Sequence, residues 1–240
     1  MNALRTANFI DIHTHILPGI DDGARDLDES LLIVKEAVAV GMKEIILTPH
    51  FPYGGIKFND IFDQFTSVVK AVSKAGLDIT LHLATELMLC PELPELIKGD
   101  KRLTINGKGQ YVLIEMPLHE IPFYAPDVFF KLLTQGVIPI WTHPERCFEV
   151  VKDYKTVQSY VNNGVLLQIN AGSLLGRYGN KVRKTSMSLL KKGFGDIMAS
   201  DTHKKGEIND TWSAAFTYLK KTVGDTKAAD MAFYLPARLF

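Results

Sequence analysis

A chain of 240 residues, 46% hydrophobic and 22% charged, can bury one large core and has the make-up of a globular enzyme, not of a disordered or fibrous chain. Lys+Arg and Asp+Glu balance at 27 each, so no net field recruits nucleic acid or an anionic membrane. No apolar run is long enough to span a bilayer, Met1–Asn8 lacks the apolar centre of a signal peptide, and neither Cys90 nor Cys147 lies in a C-x-x-C, so the expected setting is reducing and cytoplasmic, without membrane insertion.

No low-complexity stretch or Pro/Gly-rich linker divides the chain, so residues 1–240 read as a single domain. Phe9, Ile10 and Ile12 read as a short buried strand, whose side-chain period of two puts His13 and His15 on one side, where the strand gives way to a loop. Taken alone, the H-x-H reads equally as two packing histidines or as the start of a metal site. Asp28–Val40 carries apolar residues at helical spacing and stops at Gly41. Glu44–Thr48 is a second strand leading to Pro49-His50, and a helix over about 59–75 is closed by Gly76. Asp78–Ala84 is a third strand ending at Thr85-Glu86, and Leu93–Lys98 a short helix.

Tyr111–Ile114 is a fourth strand delivering Glu115, Phe129–Gln135 is helical, and Val137–Trp141 is a fifth strand delivering His143. Tyr154–Asn163 is helical, and Val165–Ile169 is a sixth strand ending at Asn170. Lys181–Lys192 is helical, Asp196–Ala199 is a seventh strand delivering Asp201 and His203, and a last helical region covers about 211–233. Such alternation predicts an α/β fold of parallel strands joined by crossover helices, and about seven units in one domain predict a closed or nearly closed barrel.

Barrels of this kind build their sites at the C-terminal ends of the strands. There stand His13, His15, Asp22, His50, Glu86, Glu115, His143, Asp201 and His203. Each has a bland alternative, as a helix-capping carboxylate or a histidine bonded to a carbonyl. Yet of seven histidines only His82, mid-strand, and His119, in a loop, fall elsewhere, and both read as structural. Nine donors exceed the needs of one ion, so two or three divalent ions sharing a carboxylate are expected. A set of imidazoles and carboxylates without thiolate suits Mn²⁺ first, with Fe, Zn, Co or Mg as alternatives. Clustered ions generate hydroxide near neutral pH and clamp the oxygens of an in-line displacement at phosphorus.

The motifs Asp11-Ile-His-Thr-His-Ile-Leu-Pro-Gly-Ile-Asp-Asp-Gly23, Thr48-Pro-His50, Glu86, Ile114-Glu115, His143-Pro-Glu-Arg146, Asn170-Ala-Gly-Ser173 and Ala199-Ser-Asp-Thr-His203 span most of the chain. In them the sequence resembles the polymerase-and-histidinol-phosphatase (PHP) family of metallophosphoesterases. Within that family it is most like the bacterial metal-dependent protein-tyrosine phosphatases of capsule and exopolysaccharide synthesis. The resemblance implies a distorted seven-stranded α/β barrel with a trinuclear metal site, and a phosphotyrosine protein substrate that is a tyrosine autokinase. It implies the nine residues as metal ligands and Arg146 as a phosphate clamp, with Asp201 and His203 completing the catalytic group. A guanidinium fork suits that role because it binds two phosphoryl oxygens at once. The structural alternative for Arg146 is an ion pair with Glu149, and Glu145 and Asp11 are expected to orient imidazoles from behind.

Two places depart from the family pattern. Relatives often carry an Arg shortly after the last D-x-H, where this chain reads Lys204-Lys205-Gly206-Glu207-Ile208, and lysine supplies charge without the fork. The Asn-Pro turn of relatives is Leu235-Pro236 here, which reads as structural. The loop Phe51-Pro52-Tyr53-Gly54-Gly55 offers aromatic rings to a phosphotyrosine, or else a packed lid. Cysteine-based phosphatase chemistry is excluded, since the positions six beyond Cys90 and Cys147 are Leu96 and Asp153 rather than Arg. The competing readings are a histidinol-phosphate or other small-molecule phosphatase, and an amidohydrolase or TatD-like nuclease. None of strands three, four and five ends in the bridging lysine common in amidohydrolases, and the neutral charge disfavours the nuclease.

Overall fold

The computed structural model describes residues 8–52 and 54–240; apart from Asn8, the stretch read against a signal peptide lies outside the described residues, as does Tyr53. The strands and helices alternate along the chain as β1 Phe9–Thr14, α1 Leu27–Ala39, β2 Met42–Leu47, β3 His50–Phe51, α2 Phe58–Lys74, β4 Thr80–Leu83, β5 Glu86–Met88 and α3 Leu93–Gly99. They continue as β6 Tyr111–Glu115, α4 Ala125–Thr134, β7 Ile138–Thr142, α5 Phe148–Lys152, α6 Gln158–Asn162, β8 Leu166–Asn170 and α7 Ala171–Leu175. The last elements are α8 Asn180–Lys191, β9 Ile197–Ala199, α9 Glu207–Val223 and α10 Asp225–Ala229. None of the helices among the described residues is long and apolar enough to cross a membrane.

Every strand pair is parallel, in the orders β1-β2-β4 and β3-β5-β6-β7-β8-β9. The two sheets are one wall, because two strands are broken in the middle. Pro49 has no N–H to extend β2, and the chain resumes pairing at the next residue as β3. The third strand breaks in the same way at Ala84-Thr85, between β4 and β5. Crossing bonds bridge the breaks: Ala84 N donates to Leu47 O (3.0 Å) and Glu86 N to Pro49 O (3.1 Å). At the far edge, Asp201 N donates to His13 O (3.0 Å) and His15 N to Thr202 O (2.8 Å), with a parallel bridge between Thr14 and Thr202. The seven strands of the sequence reading are thus seven wall positions in a distorted barrel.

The lumen is apolar low down and polar at the top. Ile10, Ile12, Ile46, Leu113, Ile140 and Ile197 meet in one buried cluster, while Phe9, Ile45, Leu47, Trp141, Leu167 and Ile169 face the helices in another. Above the inner cluster, β5 to β8 carry Glu86, Glu115, Thr142, Gln168 and Asn170. Strict alternation would put His13 with Phe9, away from them. The register of β1 against β2 is irregular between Asp11 and Thr14, and this break turns His13 inward. His13 and His15 share one side, as the period of two expects, and the irregularity aims that side at the lumen.

Helix boundaries differ where local breaks intervene. The expected helix Tyr154–Asn163 opens as a 3-10 turn over Tyr154–Val157 before α6. The last helical region starts earlier, at Glu207, and is interrupted at Gly224, whose φ of 84° leaves the helical region. Helices α5 and α7 are additions, too short to show a helical period in sequence. Leu235-Pro236 is structural as read, with Leu235 packed under the barrel near Leu239.

The ring of Phe9 is fully buried and meets Trp212 at 5.6 Å, Phe216 at 4.8 Å and Phe233 at 4.7 Å between centroids. It fastens the first strand to the C-terminal helices. Replacing Phe9 by Ala should cost about 3–5 kcal/mol in chemical denaturation; a loss under about 1 kcal/mol would show that this cluster does not hold the strand.

Candidate metal centre

The broken strands lay the donors side by side. In the register of β3 against β5, His50 stands opposite Glu86. Glu115 ends β6, and His143 and Asp201 follow β7 and β9 at sharp turns. Both lie in the left-handed region, at φ 36° and 53°. For non-glycine residues this costs on the order of 1–2 kcal/mol each, and His143 does it ahead of a proline, which disfavours helical geometry further. Such strain is concentrated where side chains must be aimed.

All nine expected ligands converge. His13 Nε2 lies 3.2 Å from Glu86 Oε2 and 3.6 Å from Asp201 Oδ1. His15 Nε2 lies 3.4 Å and 3.5 Å from the same two atoms. His50 Nδ1 is 3.1 Å from Glu86 Oε2, and His143 Nε2 is 3.3 Å from Glu86 Oε1 and 3.8 Å from Glu115 Oε1. His203 Nε2 and His50 Nε2 flank Asp22 Oδ1 at 3.4 Å and 3.7 Å. Three groups have donor atoms all within 4.8 Å of one another: His13/His15/Glu86, His50/Glu86/Glu115 and His15/Asp22/His50/His203. His82, bonded to Glu44 at 2.8 Å and stacked on Phe240, and the exposed His119 stay outside, as expected.

The arrangement fits divalent ions. Glu86 Oε1 accepts from Thr142 Oγ1 at 2.7 Å, whereas Oε2, buried between imidazoles, accepts no hydrogen bond among the described residues. A buried carboxylate oxygen without a donor calls for a cation. His13 Nδ1 donates to Gln168 Oε1 (2.8 Å), His15 Nδ1 to Asp21 Oδ2 (2.7 Å) and His203 Nδ1 to the Asp201 carbonyl (3.0 Å). With the protons on Nδ1, the Nε2 lone pairs face the centre. Those of His13 and His15 meet at 3.0 Å, a repulsive approach unless a proton or a metal ion lies between them.

Electrostatics point the same way. Burial would raise the Glu86 carboxyl, but His13, His143 and His15 hold it well below the usual range. Burial would likewise raise Asp201, and the same imidazoles bring it to about 2. Burial lowers imidazole basicity, yet Glu86 and Asp201 lift His13 to about 9, while Asp21 and Glu86 lift His15 well above its ordinary value. Glu115 is pushed up by burial and then by Glu86; His203 is pushed down by burial and then by His15. Carboxylates that hold protons on buried imidazoles here are the groups that would hold metal ions in their place.

Several supports were not read from sequence. Asp21, beside the expected ligand Asp22, has a fully covered side chain and also accepts from His50 N (3.0 Å) and Gly23 N (3.0 Å). Gly23 has no room for a Cβ, which would stand 1.9 Å from His15 O. Asp11 does not orient an imidazole: it accepts from Ser200 N (3.0 Å), tying β1 to the end of β9, and burial raises it to about 6. Glu145 accepts from Asn170 N (2.9 Å) and likewise braces backbone. The imidazole partners are instead Asp21 and Gln168, whose spacing from the histidines follows only from the closed barrel.

Arg146 does not pair with Glu149, which accepts from Ile121 N (3.1 Å). Its Nη1 donates to Asp201 Oδ2 (2.9 Å), which also accepts from Asn170 Nδ2 (2.6 Å), and its guanidinium lies 4.4 Å from the centre of the Tyr178 ring. The two line a mouth of about 330 Å³ together with Asp22, His203, Lys204 and Arg177. Arg177 pairs with Glu207, so a second guanidinium stands where the loop after the D-x-H supplies only lysine. Phe51 is edge-on to Phe58 at 6.4 Å and half-buried in the core; among the described residues the ring that lines the mouth is Tyr178. The thiols of Cys90 and Cys147 are both pushed up by burial, away from nucleophilic thiolate.

A family model described as "Capsular polysaccharide synthesis, CpsB/CapC" matches residues 9–240. The chain is 34% identical to CapC of Staphylococcus aureus over 203 residues, covering 81% of this chain and 76% of that one. It superposes on a crystal structure from work describing YwqE of Bacillus subtilis and CpsB of Streptococcus pneumoniae as metal-dependent tyrosine phosphatases. There the TM-score is 0.88 and the identity 31%, covering 96% of this chain and 93% of that one. A histidinol phosphate phosphatase from Lactococcus lactis shares the fold, with TM-score 0.52 and 15% identity over 90% of this chain and 94% of that one.

Removing the support of one imidazole should weaken metal binding without unfolding the barrel. Asp21→Ala should lower Mn²⁺ affinity about 10–100-fold in competition with a fluorescent chelator, the usual effect of losing a buried partner of a ligating histidine. Unaltered affinity would mean that Asp21 does not position His15.

Proposed function

Because the chain belongs to the CpsB/CapC family of capsular polysaccharide synthesis, we propose that it is a metal-dependent protein-tyrosine phosphatase. Its substrate is phosphotyrosine on a tyrosine autokinase of capsule or exopolysaccharide synthesis, and its place of action the cytoplasm. The observation that carries the reading is the convergence of five imidazoles and four carboxylates beneath a guanidinium at an open mouth.

His13, His15, Asp22, His50, Glu86, Glu115, His143, Asp201 and His203 hold two or three divalent ions, Mn²⁺ first, with Fe, Zn, Co or Mg as alternatives. Bound there, such ions supply Lewis acidity toward phosphoryl oxygen and a water acidified toward neutral pH. The chain's own residues do the rest. Arg146 keeps one N–H on Asp201 and retains further donors for two phosphoryl oxygens, where charge develops in phosphoryl transfer. Tyr178 stacks under the guanidinium plane and fixes its tilt. Asn170 holds the Asp201 oxygen that Arg146 shares, leaving the other oxygen toward His13, His15 and His203. Glu207 accepts from His203 N (2.8 Å) and steadies the turn that carries the last two ligands.

Purified protein should hydrolyse a phosphotyrosine peptide with a kcat/KM at least about tenfold above that for histidinol phosphate, a difference of about 1.4 kcal/mol. Activity should vanish with a chelator, return with Mn²⁺ and ignore thiol alkylation. Arg146→Ala should lower kcat/KM about 10²–10³-fold. Preference for histidinol phosphate would overturn the substrate assignment, and an Arg146→Ala enzyme of unaltered kcat/KM would overturn the clamp.

A further inference from the structure

A basic groove separate from the mouth is lined by residues that follow Arg146 and Tyr178 closely in sequence. Its volume is about 850 Å³, and Lys152, Lys155, Lys181 and Lys184 stand along it over an apolar floor that includes Phe148 and Tyr154. Four exposed ammonium groups face a single lining carboxylate, Asp153, whose Oδ1 is engaged by Lys155 N (3.0 Å) at the start of a turn. None of the four forms an ion pair among the described residues. In a chain whose charges cancel overall, this is a local positive field that one carboxylate does not cancel.

The position of the groove matters as much as its charge. One bank is α5, which begins at Phe148, separated from Arg146 by Cys147 alone. The other is α8, whose Lys181 follows Tyr178 after Gly179 and Asn180. Each bank therefore starts two residues beyond one that lines the phosphate mouth, α5 after Arg146 and α8 after Tyr178. A polypeptide whose phosphotyrosine sits at Arg146 has, a few extended residues away, a channel with lysines on its walls and an exposed aromatic ring on its floor.

We propose that this groove is a docking site for an acidic segment of the substrate protein, adjoining its phosphotyrosine; the proposal rests on the tyrosine phosphatase reading above. Lysines at the rim gain little from any single contact in water. Together they raise the rate of encounter with an anionic chain and select against a basic one. Phe148, 58% exposed, gives that segment an apolar contact without which charge alone would hold it loosely. The groove thus sets which phosphotyrosines are good substrates, while the metal centre sets the chemistry.

The test compares three phosphotyrosine peptides of one core with acidic, neutral or basic flanks, using wild type and the K152E/K155E/K181E/K184E variant, with p-nitrophenyl phosphate as a substrate too small to reach the groove. Wild type should favour the acidic over the basic flank by about tenfold in kcat/KM at low salt, a preference that shrinks as salt rises. The variant should reverse it while hydrolysing p-nitrophenyl phosphate within about twofold of wild type, which also shows that it has folded; a Lys→Gln version should abolish the preference without reversing it. Equal kcat/KM for all three flanks, or an unaltered preference in the variants, would overturn the proposal. So would variants that keep the peptide preference but lose sedimentation with phosphatidylserine vesicles or change oligomeric mass, since the groove would then serve a membrane or a second copy. Hydrolysis of histidinol phosphate with no peptide turned over would overturn the underlying reading as well.

Discussion

The buried carboxylate of Glu86 is the constraint around which the top of the barrel is arranged. One oxygen is fixed by Thr142, and the other meets His13, His15 and His50 with no hydrogen bond among the described residues. An ionised group in that position is costly unless positive charge surrounds it. The protein supplies it with imidazoles from β1 and β3 and from the turns after β1 and β7, and a divalent ion satisfies the same demand more completely. Breaking the second and third strands lets His50 and Glu86 pair across β3 and β5 while β2 and β4 continue the wall below.

Tension elsewhere follows from this. His143 and Asp201 occupy left-handed backbone, and the loop holding Asp21 and Asp22 passes so close to His15 that only glycine fits at position 23. A rigid parallel sheet with an isoleucine-rich floor over-determines these turns. The centre is a polar layer resting on an apolar plug, so the ligands need only be aimed, since the floor already excludes water from below.

The strand ends and the nine converging donors are legible because buried parallel strands are short apolar runs, and chemistry-bearing residues stand out at their ends. The family motifs then supplied Arg146. What stayed hidden depended on closure. Gln168 sits mid-strand and reads as a stray polar residue until β8 curls round to face His13. Asp21 and Asp22 look interchangeable until the loop closes, when one goes under His15 and the other outward to His50 and His203. Tyr178 belongs to a loop with no periodicity, and of the aromatic pair Phe51 and Tyr53 the described ring, Phe51, packs in the core. The inward turn of His13 comes from a register break that period-two reasoning does not anticipate.

The role proposed for Glu86, a shared anchor for more than one ion, is tested most directly through its charge. Metal content should be measured by plasma mass spectrometry on Mn²⁺-loaded wild type and on Glu86→Gln, which keeps the shape but removes the charge. More than one ion per chain in wild type is expected, with at least one lost in the variant together with phosphotyrosine hydrolysis. A variant with full metal content and full activity would contradict it.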